Sequence, residues 1–354
     1  MKVWIDVLTP KQANFFAELQ HRLSARGFKT FLTTRDYREV NELLQVRGVK
    51  AVQVGRHGGG ELIEKLVESS KRIASLTKLV ADEAPDLSIS FSSPEAARVA
   101  FGLKLQHYCI SDSPHAEAVC RLSIPLSQKL FTPWVIPLYA WQRYGVNTRD
   151  VVRYKALDPA VWLTGYKGNP KVLDALKLDV SRPIIVIRTP EEFAAYLSTQ
   201  SSSHPSATSD IIAKLLDLGD SGSQVVVLPR YASQVERLGK RFGSRVTVPE
   251  HVIDAIPLMQ AASVFVGGGG TMTAEAPLLG VPAISYYPAE PTFVDRFLIN
   301  YGLVERMHDP THIAQRALSI SKSKDFREFY RKKSTRLVES MEDPLRVIMK
   351  RIFK

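Results

Sequence analysis

Two cysteines in 354 residues, Cys109 and Cys120, are too few for a disulfide framework and stand at no metal-ligand spacing. They read as reduced core thiols of a cytoplasmic protein. No apolar run approaches the ~18 residues that a membrane span needs. The opening MKVWIDVLTPKQ has neither a long apolar stretch nor a small-residue cleavage site, so no signal peptide is expected. Basic residues form no run of five or six. Zinc spacings, RNP-type aromatic signatures and a DNA-reading helix are missing too, which argues against nucleic acid as a partner.

What is present is a soluble-type balance, 45% hydrophobic and 23% charged, on a chain long enough for two ordinary domains. The formal net charge is +11. That excess suits acidic partners such as nucleic acid, anionic lipid or a phosphorylated small molecule, and a merely basic solvated surface explains it as well.

Short β-rich runs alternate with helical patterns. KVWIDV (2–7), FKTFLTT (28–34), AVQVG (51–55), LSISFS (87–92), HYCIS (107–111) and KLFTP (129–133) form a first series. PIIVIR (183–188), QVVVLPR (224–230), RVTVP (245–249), ASVFVG (262–267) and PAISYYP (282–288) form a second. Such alternation predicts α/β architecture, two doubly wound domains with parallel sheets. The expected division is 1–157, a linker at 158–182, a second domain at 183–325 and a helical tail at 326–354 packing back on the first domain. The Pro-, Gly- and aromatic-rich segment from about Trp134 to Asp179 reads as the crossing. STQSSSHPSATSD (198–210) reads as a mobile loop.

The stretch FVGGGGTMTAEAPLLGVPAISYYP places four glycines between a strand and a helix. Ligands of open parallel sheets bind at such turns, and bare backbone lets N–H groups approach a phosphate. Thr271 and Thr273 can cap the helix or reach a phosphate oxygen, and Glu275 in the first turn can accept both hydroxyls of a ribose. Neither GxxxxGK[ST] nor GxGxxG fits, because Thr271 stands where a Lys is needed and Met272 and Thr273 where a third Gly is needed. Tight strand–helix packing is the competing explanation. Four glycines in a row exceed what packing is expected to need.

GGGGTMTAEAPLLGVPAIS is similar to the SGG-x-x-x-EAP-x-LG-x-P segment of the non-hydrolysing UDP-N-acetylglucosamine 2-epimerases. It also resembles the corresponding segment of GT-B transferases such as the peptidoglycan N-acetylglucosaminyltransferase. Together with TPKQANFF, VGRHGGG, ISDSPHAEAVCRLSIPLSQKLFTP, VIRTPEEFAAY and VVLPR, it resembles the domain of unknown function 354 family over roughly 5–290. The resemblance implies a GT-B fold, two Rossmann-like domains facing across a cleft, and a nucleotide-sugar site. By position, Gly269 and Gly270 would face the diphosphate and Glu275 the ribose, with Gly268, Thr271, Met272 and Thr273 completing the loop. The epimerase Ser falls on Gly269, so its hydroxyl is lost and Thr271 is the substitute. Fold analogy puts base recognition near Pro249–His251, which makes His251 a candidate. VIRTPEEF lacks the His of the epimerase HRREN segment and SISFSS the Asp of its HGD segment, which weighs against an epimerase.

Arg188 and Arg230 end successive strands and are candidate phosphate clamps. In the first domain, Asp112, His115 and Glu117 follow a strand end and can form an acid–base group. An Asp112 helix cap with solvated neighbours is the alternative. Lys11, Gln12, His57, Gly58 and Gly59 lie at strand-to-helix turns and are assigned to the acceptor side. Lys11 is a poor base unless strongly desolvated. The aromatic PWVIPLYAWQRYG suits a membrane interface and a lipid-linked acceptor, or plain packing. The expected function is thus a metal-independent glycosyltransferase without cofactor, using a nucleoside-diphosphate sugar. A 2-epimerase and a non-catalytic nucleotide- or nucleic-acid-binding protein are the alternatives.

Overall fold

The β-rich runs are apolar at consecutive positions, the pattern of strands covered on both faces, and each core strand is buried along nearly its whole length. In the computed structural model, which describes residues 1–166, 168–191, 207–219 and 222–353, they form two wholly parallel sheets. β1 (Lys2–Val7), β2 (Lys29–Asp36), β3 (Val52–Arg56), β4 (Leu87–Ser90), β5 (Gln106–Ile110), β6 (Lys129–Pro133) and β7 (Val151–Tyr154) pair in the order β3-β2-β1-β4-β5-β6-β7. β8 (Ile184–Arg188), β9 (Gln224–Leu228), β10 (Val264–Gly267), β11 (Ala283–Ser285) and β12 (Val304–Arg306) pair in the order β12-β11-β10-β8-β9. The chain divides into two units, Met1–Trp162 with Glu342–Lys354, and Leu163–Met341.

Three strand readings change. Within the expected crossing, VVRY folds as β7, the edge strand beside β6. Four residues after an aromatic loop carry too little alternation to stand out. β12, three residues long, also falls outside the expected strands. RVTVP contributes only one bridge, Val226 to Thr247, instead of a strand.

The aromatic segment is largely core: Ile136 and Trp141 are fully buried and Tyr144 nearly so, while Tyr139 is exposed. Packing therefore accounts for most of it. Of the small polar stretch, 198–206 lie outside the described residues and 207–210 open the helix Ala207–Leu218. The tail is shared: the helix Lys324–Glu339 belongs with the second unit and the helix Pro344–Ile352 with the first. Among the described residues no helix is long and apolar enough to cross a membrane. Both cysteines are buried and unbridged.

Each sheet has one point where strand order reverses, between β1 and β4 and between β8 and β10. Crossovers leave on opposite faces there, so the chain parts and a crevice opens at the carboxyl ends. Residues at those four strand ends therefore border the crevices.

Candidate functional site

In the second unit the register sets Gly267 beside Arg188. The glycine turn thus emerges at the reversal point of its sheet. Gly269 and Gly270 adopt φ of 94° and 92°, a left-handed conformation that favours glycine. A Cβ on Gly267 would lie 2.6 Å from the Phe265 ring, and one on Gly268 2.8 Å from Pro190. On Gly269 it would lie 2.5 Å from the Tyr287 ring, and on Gly270 2.6 Å from Arg230 Nη2. Packing therefore demands glycine at 267, 268 and 269, and the left-handed backbone favours it at 270, so their number is no argument for a ligand. The argument lies in the backbone. Gly268 N–H donates to Arg188 O, and the next donor in use is Thr273 N–H, to Gly270 O. The N–H groups of Gly269, Gly270, Thr271 and Met272 make no hydrogen bond among the described residues.

Arg230 lies over this turn. Its Nε donates to Thr189 O at 3.2 Å and its Nη2 to Gly269 O at 3.2 Å. Arg188, 8% exposed, turns instead toward the end of β9, with Nη1 3.0 Å from Pro229 O. The two guanidiniums flank one strand-end region, and Arg230 is the one that touches the loop. Thr271 takes the N-cap place of the helix Met272–Leu278 but makes no side-chain capping bond. Thr273 is buried inside the helix, its Oγ1 unbonded among the described residues. Glu275 is buried in the first turn. His251 is exposed after the Val226–Thr247 bridge and makes no hydrogen bond or ion pair with the loop among the described residues.

The first unit concentrates charge at its own reversal point. Thr9 caps the helix Pro10–Ala25, which starts directly after β1, and this puts Lys11 and Gln12 in the first turn. Lys11 Nζ lies 2.5 Å from Asp112 Oδ2 and 2.5 Å from Asp158 Oδ2, and 4.3 Å from the centre of the Phe91 ring. Ser113 Oγ donates to Asp112 Oδ1 at 2.8 Å, and the Tyr154 hydroxyl donates to Asp158 Oδ1. Burial pushes the Asp158 carboxyl up to about 6, with the Asp112 charge adding to it and Lys11 opposing. Burial pushes Asp112 up as well, but the charge and hydrogen bonds of Lys11 outweigh it and hold Asp112 below the usual carboxylate range. Burial lowers Lys11, and its two carboxylates outweigh that and raise it. Lys11 is thus a fixed cation, and the proton-carrying group is Asp158.

The other first-unit candidates do other work. Gln12 is a brace, its Oε1 accepting from Leu8 N–H at 2.6 Å and its Nε2 donating to Phe91 O at 3.1 Å. Glu117 is exposed and paired with Arg121 at 2.8 Å, and His115 is exposed. His57 closes its own turn, with Nδ1 accepting from Gly59 N–H at 3.0 Å and its ring stacked on Tyr37. A Cβ on Gly58 would lie 2.6 Å from Lys65 Cα. Asp158 was missed from sequence. The signal was there: one carboxylate inside the apolar ALDPAVW, where an unpaired charge would be expensive.

The family described as protein of unknown function (DUF354) matches residues 1–354. An uncharacterised protein of Methanocaldococcus jannaschii is 28% identical over 306 residues, covering 84% of this chain and 85% of that protein. A Neisseria meningitidis UDP-GlcNAc 2-epimerase, solved bound to UDP-GlcNAc, superposes with a TM-score of 0.74 at 18% identity over 99% of each chain. The spinosyn rhamnosyltransferase, solved with spinosyn aglycone, gives 0.60 at 12% identity, again over 99% of each chain. These likenesses establish the fold, a GT-B pair of Rossmann-like domains.

Proposed function

The chain belongs to the DUF354 family, and from that premise we propose that it is a GT-B glycosyltransferase taking a nucleoside-diphosphate sugar, with UDP as the leaving group. One observation carries the reading. Four consecutive backbone donors, Gly269 to Met272, are unused among the described residues at a sheet's reversal point, directly beneath Arg230. Such a row of N–H groups with a guanidinium beside it suits the oxygens of a diphosphate. Glu275, one helical turn beyond Thr271, is assigned to the ribose. The loop and Arg230 would neutralise charge on the departing diphosphate without reorganising, which is where such a site lowers a barrier. In the first unit, Asp112 is the assigned base for an acceptor hydroxyl, with Lys11 and Asp158 setting its charge. His115 and Glu117 are left as secondary candidates, His251 as a base contact, and His57, Gly58 and Gly59 as an acceptor-side turn.

A 2-epimerase is the second reading, favoured by the coupled Asp112–Lys11–Asp158 group, which can store a proton. Incubation with UDP-sugars in deuterated water separates the two. Acceptor-dependent UDP release marks the transferase, and deuterium at C2 without acceptor marks the epimerase. Thermal stabilisation by UDP without turnover leaves a binding protein. Absence of stabilisation by any nucleoside diphosphate removes the nucleotide-sugar reading altogether.

A further inference from the structure

The helix Lys324–Glu339 has one face committed to the second unit. Tyr330, Ser334 and Leu337 are buried, the Tyr330 hydroxyl donating to Leu303 O and Ser334 Oγ to Pro277 O. That docking holds the helix against the one that follows the glycine turn. At about 100° per residue, Lys324, Glu328, Lys332 and Thr335 fall on the outer face, with Arg331 at its flank beside Gly280. All five are exposed. Glu328, Arg331, Lys332, Thr335 and Arg336 line a concavity of about 410 Å³.

The charge on this face is poorly compensated. Glu328 pairs with Lys332 at 2.9 Å. Lys324 and Arg336 have no carboxylate partner among the described residues, and Arg331 shares the one Glu328 charge with Lys332. Arg327 is held below its usual range, first by burial and then by the charge of Arg331. Like charges crowded along one helix cost folding energy, and an ordinary solvated face relieves them with i,i+4 acids. An external anion relieves them too. Beside the basic arc stands Phe329, 68% exposed, with Lys332 and Arg336 three and seven positions on. A large apolar ring at the rim of a cationic face is what a helix lying in a bilayer interface presents, ring below the headgroups and cations among the phosphates. A duplex backbone would leave that ring in water.

We propose that this face is a docking surface for anionic phospholipid, seating the second unit on a negatively charged bilayer. Each basic side chain near such a surface contributes a roughly fivefold gain in partition.

The test is co-sedimentation of the full-length protein with vesicles of phosphatidylcholine alone and with about 30 mol % phosphatidylglycerol. Binding is expected only to the anionic vesicles, and to fall steeply between about 0.1 and 0.5 M salt. The triple variant Lys324→Gln/Arg331→Gln/Lys332→Gln is expected to lose about 100-fold, from three such contributions. Phe329→Ser should remove the salt-resistant residue of binding. The same loss of charge placed elsewhere on this unit, Lys214→Gln/Lys240→Gln/Arg245→Gln, should change binding only a few-fold. Because all these side chains are exposed, circular dichroism and melting should match the parent. Equal losses in the two triple variants would show unspecific net charge and overturn the proposal. So would absence of vesicle binding, or binding of single-stranded RNA through these residues with no vesicle binding. Release from vesicles by inorganic phosphate, at an ionic strength where chloride releases nothing, would reassign the face to a free phosphate and likewise overturn it.

Discussion

His107 on β5 is almost fully buried, with Ser88 Oγ 2.7 Å from Nδ1 and Ser90 Oγ 3.1 Å from Nε2. Burial pushes its pKa down to about 4, and the nearby Asp6 charge opposes only part of that. An unfolded imidazole takes its proton near 6.5. Between those values the unfolded chain binds the proton and the folded one does not, so this group lowers stability as pH falls from about 6.5 to about 4, by on the order of 3 kcal/mol. Asp158 acts in the opposite sense. Its folded carboxyl takes up a proton near 6, ahead of the unfolded one, so it adds stability as pH falls below about 6. Urea titrations across pH should therefore show a shallower acid loss in His107→Asn and a steeper one in Asp158→Asn. Parallel curves for parent and both variants would remove the assignment. Lys11→Met leaves Asp112 and Asp158 facing each other without a cation, a change expected to cost about 3–5 kcal/mol at neutral pH. The deficit should shrink as pH falls, because the two carboxyls, no longer held down by Lys11, take up a proton more readily than in the parent.

The glycine turn separates two effects that share one element. Gly270→Ala places a Cβ at φ 92° and 2.6 Å from Arg230 Nη2. Left-handed backbone on a non-glycine residue costs about 1–3 kcal/mol, so a lower melting temperature is expected, together with loss of stabilisation by UDP. Arg230→Gln keeps the turn and removes the charged donor. Its melting temperature should stay near that of the parent while affinity for UDP falls about 10- to 100-fold, the span of one or two hydrogen bonds from a charged group. Calorimetric titration that finds parental affinity in Arg230→Gln would exclude the diphosphate assignment. The buried pair of Arg72 with Asp6, 2.6 Å and 3.0 Å from its two oxygens, is a different case. It joins β1 to the helix Leu62–Glu83 and is held by Thr33 and Ser93 as well, so it belongs to the scaffold under the strand ends.

Across the whole molecule, the first unit is the one stabilised by a distant part of the chain. The last helix, Pro344–Ile352, buries Leu345, Ile348 and Met349 in the first unit, after the chain has already built the second. Leu345→Ala is expected to cost about 2–5 kcal/mol. Hydrogen exchange should show the lost protection in 1–162 and leave 163–341 near the parent. Uniform loss in both units would mean that they unfold as one cooperative body.

The order of strands and helices was legible because burial on both faces writes continuous apolar runs into β1, β4, β8 and β10. Gly27, at φ 77° just past the helix Pro10–Ala25, marks its end by local backbone chemistry alone. β7 and β12 escaped because three or four residues hold too little pattern, and their strand state comes from pairing with β6 and β11. The glycine turn was located correctly from its neighbours in sequence. Why it needs its glycines was not, since Pro190 and Tyr287 reach it from other elements. Likewise Lys11 and Asp112 stood out as charged residues after strands. Their union with Asp158, and which of the three carries the proton, was decided only by folding. A side chain's pKa depends on burial and on charges brought from far along the chain, and no local pattern encodes either.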